Sequence, residues 1–115
     1  MLKKDNRLST TYEFNKVRRE GESFRSKNFM MFYLDVSGYD GPTRVGIVVS
    51  TKYSKVAPVR NRVKRVFREV VRLNLDKIKD GYWLVIQPFK SATEKGYEEI
   101  NTEFNKALSQ IPISS

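Results

Sequence analysis

"VRNRVKRVFRE", residues 59–69, sets five cations (Arg60, Arg62, Lys64, Arg65, Arg68) among four apolar residues. Placed on a helix at about 100° per residue, Val59, Val63, Val66, Val70 and Leu73 share one sector, with Phe67 at its flank. Asn61, Lys64, Arg65, Arg68 and Arg72 fall opposite, and Arg60 and Arg62 sit on the two borders. Pro58 suits the first turn, where the missing N–H costs little. The stretch is therefore expected to form a helix over 59–73 that buries one stripe against a sheet and presents cations on the other. The alternative is a merely solvated face, but such faces usually mix signs so that i,i+4 pairs form. Here only Glu69 is available, and Lys64–Arg68 and Arg68–Arg72 repel each other at i,i+4. A helix that accepts this repulsion is expected to meet an anion that relieves it. The predominance of Arg over Lys suits bidentate contacts to phosphates and base edges.

The rest of the chain bounds the identity of that anion. Its 115 residues suit one domain, spanning 1–115, and its composition of 39% hydrophobic and 30% charged residues is that of a globular protein. The net charge is +9, unevenly placed: residues 1–90 hold 20 basic and 9 acidic groups, residues 91–115 only 2 basic and 4 acidic. A concentrated positive field of this kind implies a polyanionic partner, and nucleic acid is favoured over an acidic membrane because the basic helix lacks Trp or other deep-inserting anchors. No membrane association and no obligate protein partner is expected. There is no Cys and no His, which removes disulfides, thiolate nucleophiles, imidazole bases and the usual zinc sites. No apolar stretch reads as an export signal, so a cytoplasmic location is expected.

Residues 1–8 read as a flexible basic arm. Thr10 and Glu13 form a capping box that opens a helix over 11–20, with Phe14 and Val17 on one face and Gly21 ending it. "NFMMFYLDV" (28–36) is a strand, with Phe24 in a short strand just before it. "SGYDGP" (37–42) is a turn of hairpin length, followed by a strand over 43–51. "YWLVIQP" (82–88) is a further strand, stopped by Pro88. Ile100, Phe104, Ala107 and Leu108 give helical spacing to 93–110, with Glu94, Glu98, Glu99 and Glu103 mostly early, where the helix dipole favours acid. Helices alternating with strands imply an α/β sandwich of one sheet and its helices.

Four ordered motifs carry a family resemblance over nearly the whole chain. "RNRVKRVFRE" (60–69) resembles the RNR motif of the bacterial ribonuclease P protein family. "RVGIVVSTK" (44–52) resembles that family's Arg-x-Gly strand ending in Ser-x-Lys. "FNKVRREG" (14–21) resembles its first helix, and the 28–36 and 82–86 strands follow in the same order. The resemblance implies a single α+β domain in the order α-β-β-β-α-β-α, with a mixed sheet and a left-handed βαβ crossover carrying the basic helix. That hand comes from the resemblance alone, because such crossovers are right-handed in about 98% of cases.

The resemblance further implies a subunit that binds the catalytic RNA of ribonuclease P and the 5′ leader of precursor tRNA. The endonucleolytic chemistry and its Mg²⁺ then belong mainly to the RNA. The sequence agrees, since an in-line two-metal hydrolysis needs clustered carboxylates and Asp35, Asp40, Asp76 and Asp80 are few and lie at strand ends or in loops. No catalytic or metal-holding residue is assigned to the protein. Carried over by position, Arg60, Asn61, Arg62, Lys64, Arg65, Arg68 and, on the same face, Arg72 contact the catalytic RNA. Phe14, Arg18, Phe32, Ser50 and Lys52 line a cleft for the leader. For Phe14 and Phe32 the residue pattern alone favours ordinary core packing, and it is the resemblance that assigns them to the cleft. The chain departs from the family in three places. Arg18 replaces a second aromatic and suggests a phosphate contact instead of stacking, Pro58 replaces an aliphatic residue, and Pro88 stands where an Arg is common, with Lys90 as its stand-in. Two other readings remain: a non-enzymatic, ribosome-associated RNA-binding protein, and a DNA reader using 59–73, the latter weakened by the lack of a preceding helix-turn-helix element.

Overall fold

"YWLVI" is apolar on both faces, and a strand of that kind belongs inside a sheet rather than at its edge. In the computed structural model, which describes residues 6–36 and 42–111, β4 (Tyr82–Pro88) is flanked on both sides, and Leu84, Val85 and Ile86 are fully buried. The other strands are β1 (Glu22–Arg25), β2 (Phe29–Asp35) and β3 (Arg44–Ile47), and the order across the sheet is β1-β2-β4-β3. β2 pairs antiparallel with both β1 and β4, whereas β3 pairs parallel with β4. The hairpin-length connection between β2 and β3 therefore does not make them neighbours, because β4 lies between them. Residues 37–41 of that connection lie outside the described residues.

The helices are α1 (Thr11–Glu20), α2 (Ala57–Asn74) and α3 (Tyr97–Ser109), which completes the α-β-β-β-α-β-α order. α2 is the crossover between parallel β3 and β4. It packs with α3 on one face of the sheet, where Phe29 meets Phe67 edge-on at 5.8 Å and Phe104 at 6.4 Å. α1 lies on the other face, where its Val17 packs with Val85 of β4 and Leu8.

Several boundaries differ from the sequence expectation, each for a local reason. Asn6 donates to the Thr43 carbonyl, Arg7 bridges Val45, and Leu8 is buried, so the arm is docked along β3 by residue 6; residues 1–5 lie outside the described residues. β3 is four residues long, not nine, because Ser50 starts a turn that takes the chain away from β4. α3 starts at Tyr97 rather than 93: a short 3₁₀ turn at Lys90–Ala92 follows Pro88, and Gly96 sits at the helix N-cap. Gly21 ends α1 in an extended conformation, not a left-handed one. It is Gly because a Cβ there would lie 2.5 Å from the Tyr33 carbonyl oxygen and 2.6 Å from that of Val17.

Candidate nucleic-acid interface

α2 realises the split of the sequence pattern with its buried stripe rotated. Val63, Phe67, Val70, Val71 and Asn74 are buried, Val59 and Val66 are half-buried, and Leu73 is 48% exposed. The opposite face holds Asn61, Lys64, Arg65 and Arg68, which with Glu69 line a concavity of about 370 Å³. None of those three cations has an ion pair or hydrogen bond among the described residues. The remaining cations of the helix are engaged. Arg60 donates to the Ser54 carbonyl at 2.8 Å and Arg62 to the Thr93 carbonyl at 2.5 Å. Arg72 binds Glu69 bidentately at 2.6 and 3.1 Å, and its hydrogen bonds hold the Glu69 carboxyl below its ordinary value. The border arginines thus tie the start of the helix to the loops on either side of it, and the centre of the face is left to Lys64, Arg65 and Arg68.

The second cluster forms around α1. Its capping box is complete: the Thr10 hydroxyl accepts from the Glu13 N–H, and the Glu13 carboxylate accepts from the Thr10 and Ser9 N–H groups. The same carboxylate pairs with Arg44 on β3 at 3.0 Å, and the Arg44 guanidinium lies 5.9 Å from the centre of the Trp83 ring. This anchors the helix start to the sheet. One residue on, the Phe14 ring lies directly over Gly46, where a Cβ would come within 2.3 Å of it. The glycine of the Arg-x-Gly motif is therefore the space that Phe14 occupies.

Beside that ring opens a cleft of about 340 Å³, with Phe14 and Arg18 from α1, Val48 and Ser50 following β3, and Lys64 reaching in from α2. Ser50 shapes the adjoining turn: its hydroxyl accepts from the Lys52 N–H and its carbonyl from that of Tyr53. Val48 and Ser50 also line a neighbouring depression with Lys52, Gln87 and Lys90, so the two run together at the carboxyl ends of parallel β3 and β4. Ligands commonly settle at that end of parallel strands. Of the sequence-nominated cleft residues, Phe14, Arg18 and Ser50 share the first depression and Lys52 lies in the second. Phe32 is half-buried on the same sheet face, paired across the ladder with Val85, and lines neither depression. Thr11, Asn15 and the Glu13–Arg44 pair were not nominated; the i, i+4, i+7 spacing of Thr11, Asn15 and Arg18 is the signal that would have found the first two.

The ribonuclease P family profile matches residues 2–112. The chain belongs to the ribonuclease P protein family. Its relatives include the "Ribonuclease P protein component" of Clostridium botulinum (strain 657 / Type Ba4), 37% identical over 96% of this chain and 97% of that one. That of Pseudanabaena sp. (strain PCC 6903) is 33% identical over 98% and 97%. Among solved structures, the RNase P protein from Thermotoga maritima is 29% identical with a TM-score of 0.77, covering 91% of this chain and 96% of that one. The Staphylococcus aureus RNase P protein shares the fold, with a TM-score of 0.83 at 21% identity over 97% and 100%. The ribonuclease P protein fold thus presents two cationic surfaces here, the exposed face of α2 and the cleft beside α1, and Lys64 lines both.

Proposed function

We propose that this chain is the cytoplasmic protein subunit of a tRNA 5′-processing ribonuclease P, binding the catalytic RNA through α2 and the 5′ leader of precursor tRNA through the cleft beside α1. The observation that carries this reading is the unneutralised face of Lys64, Arg65 and Arg68 beside a second cationic depression, on a chain of this family. Asn61 supplies an amide to the same face, and Arg60, Arg62 and Arg72 add charge at its margins while holding their local contacts. Displacement of condensed counterions by these cations supplies the affinity for the RNA.

Phe14, Arg18, Phe32, Ser50 and Lys52 serve the leader. Unpaired nucleotides are held by aromatic faces and nearby cations with little sequence preference. Binding energy of this kind exists only while the leader is attached. It therefore favours precursor over mature tRNA and lets the cleaved product leave.

Metal-dependent hydrolysis is assigned to the RNA and Mg²⁺. In this reading the protein's part is binding and orientation.

The test is reconstitution with a bacterial ribonuclease P RNA. The chain should allow precursor-tRNA cleavage at Mg²⁺ concentrations where the RNA alone is inactive; failure to do so would leave the non-enzymatic RNA-binding reading. Phe32→Ala and Lys52→Gln should lower the affinity ratio of precursor to mature tRNA while leaving assembly with the catalytic RNA nearly unchanged. If folded Lys52→Gln keeps the wild-type ratio, the leader does not lie in the cleft; Phe32→Ala tests whether it also runs over β2, since Phe32 lines neither depression.

A further inference from the structure

We propose that Tyr53 and Thr93 are positioning residues for the leader: their hydroxyls close a clamp that holds Lys52 and Lys90 at one depression. The inference rests on the leader reading above and adds two neutral side chains to it. Lys52 stands on a tight turn that Ser50 closes, its hydroxyl accepting from the Lys52 N–H and its carbonyl from the Tyr53 N–H. Such a turn presents its lysine wherever the turn itself is held. Tyr53 holds it. Its ring is buried in the main core, and its hydroxyl shares a hydrogen bond of 2.5 Å with the Thr93 hydroxyl, 40 residues on. Thr93 is fixed in turn: its N–H donates to the Lys90 carbonyl at 3.0 Å, and its carbonyl accepts from Arg62 of α2 at 2.5 Å.

Thr93 is thus the junction of three segments: the turn after β3, the start of α2, and the short 3₁₀ turn that carries Lys90. Lys52 and Lys90 line the same depression, which holds no carboxylate. Two cations on one concave wall repel each other until an anion lies between them, and a turn free to swing would carry them apart. Fixing them before the strand arrives lowers the ordering cost of binding. Packing alone does not call for the clamp. The Tyr53 ring fills its place in the core without a hydroxyl, as a Phe would. Thr93 is half-buried, so water can satisfy its hydroxyl. What the hydroxyl pair adds is the position of the turn.

The experiment uses holoenzyme reconstituted from the full chain and a bacterial ribonuclease P RNA, and the readout is the affinity ratio of precursor to mature tRNA. Tyr53→Phe and Thr93→Val each remove one hydroxyl and keep the shape, and thermal melts check that both fold. Each should lower the ratio about fivefold, the worth of one neutral hydrogen bond, with cleavage at saturating precursor unchanged. The double variant should lose no more than either alone, because both remove the same bond. Thr93→Ser keeps the hydroxyl and should keep the wild-type ratio. In a Lys52→Gln background Tyr53→Phe should lower the ratio by less than in wild type, since the cation it positions is gone. A merely structural bond would lower the melting temperature and leave the ratio alone. The clamp is overturned if folded Tyr53→Phe and Thr93→Val keep the wild-type ratio. It is equally overturned if Tyr53→Phe lowers the ratio by the same factor with and without the Lys52 charge. If Lys52→Gln lowers the ratio while the hydroxyl variants do not, this inference falls alone; if Lys52→Gln also leaves it unchanged, the cleft reading falls with it.

Discussion

Glu13 is 8% exposed and charged, and its environment decides that charge. Burial pushes its pKa up, but hydrogen bonds from the Ser9 and Thr10 N–H groups and hydroxyls outweigh it and hold the carboxyl below its usual 4.5. A folded-state value below the unfolded one contributes stability that is fully present above 4.5 and is lost as the pH falls through the folded value. Glu13→Gln should therefore cost about 1–2 kcal/mol at neutral pH, and the gap to wild type should narrow in melts taken at successively lower pH. An unchanged gap down to strongly acidic pH would mean that the charge of Glu13 contributes nothing. Gly46 makes the complementary case for space. In Gly46→Ala the new Cβ would strike the Phe14 ring at 2.3 Å, and overpacking of this kind costs about 1–3 kcal/mol. The added cost of Phe14→Ala should be smaller in that background than in wild type, because truncating the ring also relieves the clash. Urea melts of the four-member cycle measure the coupling, and strict additivity would mean that ring and glycine are independent.

α2 is an element whose two faces do different work, and substitutions should separate them. Val63 and Val70 are 1% and 0% exposed, and truncating either to Ala should lower stability by about 1–3 kcal/mol. Leu73 has the same periodicity in sequence but is 48% exposed; Leu73→Ala should change stability by less than about 0.5 kcal/mol. Urea midpoints of the three variants make the comparison, and a Leu73 cost equal to that of Val70 would contradict the rotated stripe. The rotation has a visible cause. Phe67 fits edge-on against Phe29, and the Asn74 amide donates to the Val70 carbonyl and to Asn101 on α3. These contacts centre the buried stripe on Phe67, Val70 and Asn74 and turn Leu73 outward.

For the whole molecule the dominant fact is a +9 net charge, to which α2 contributes six cations against Glu69 alone. Binding to the catalytic RNA should weaken steeply with salt, and Arg65→Ala combined with Arg68→Ala should reduce both affinity and the slope of log K against log salt, by about 0.7–0.9 for each phosphate no longer neutralised. The folded state should be little affected, since Arg65 is exposed and the half-buried Arg68 has no ion pair or hydrogen bond among the described residues. Filter-binding titrations at several salt concentrations check this; an unchanged slope would make the face merely solvated. The acidic end of the chain has a different task. Glu103 of α3 accepts from the Asn28 N–H at 2.8 Å, from its side-chain amide at 2.6 Å and from the Ser26 hydroxyl, fixing the turn between β1 and β2.

Local chemistry was enough to place much of this protein. The capping box at Thr10 and Glu13, the two-faced α2, the doubly apolar β4 and the core positions Ile100, Phe104, Ala107 and Leu108 all follow from patterns within one or two turns of chain, because caps and periodicities act over short range. The ordered motifs were likewise enough to identify the family. What sequence could not place depends on partners far apart in the chain. The insertion of β4 between β2 and β3, the shortness of β3, the docking of residues 6–8 and the outward turn of Leu73 are settled by packing. So are the pairing of Glu13 with Arg44, 31 residues on, and the seat of Phe14 on Gly46. The composition of the cleft belongs to the same class: Arg18 and Lys64 come from two helices and Ser50 from the turn after β3, and only packing around that edge strand brings them to one depression.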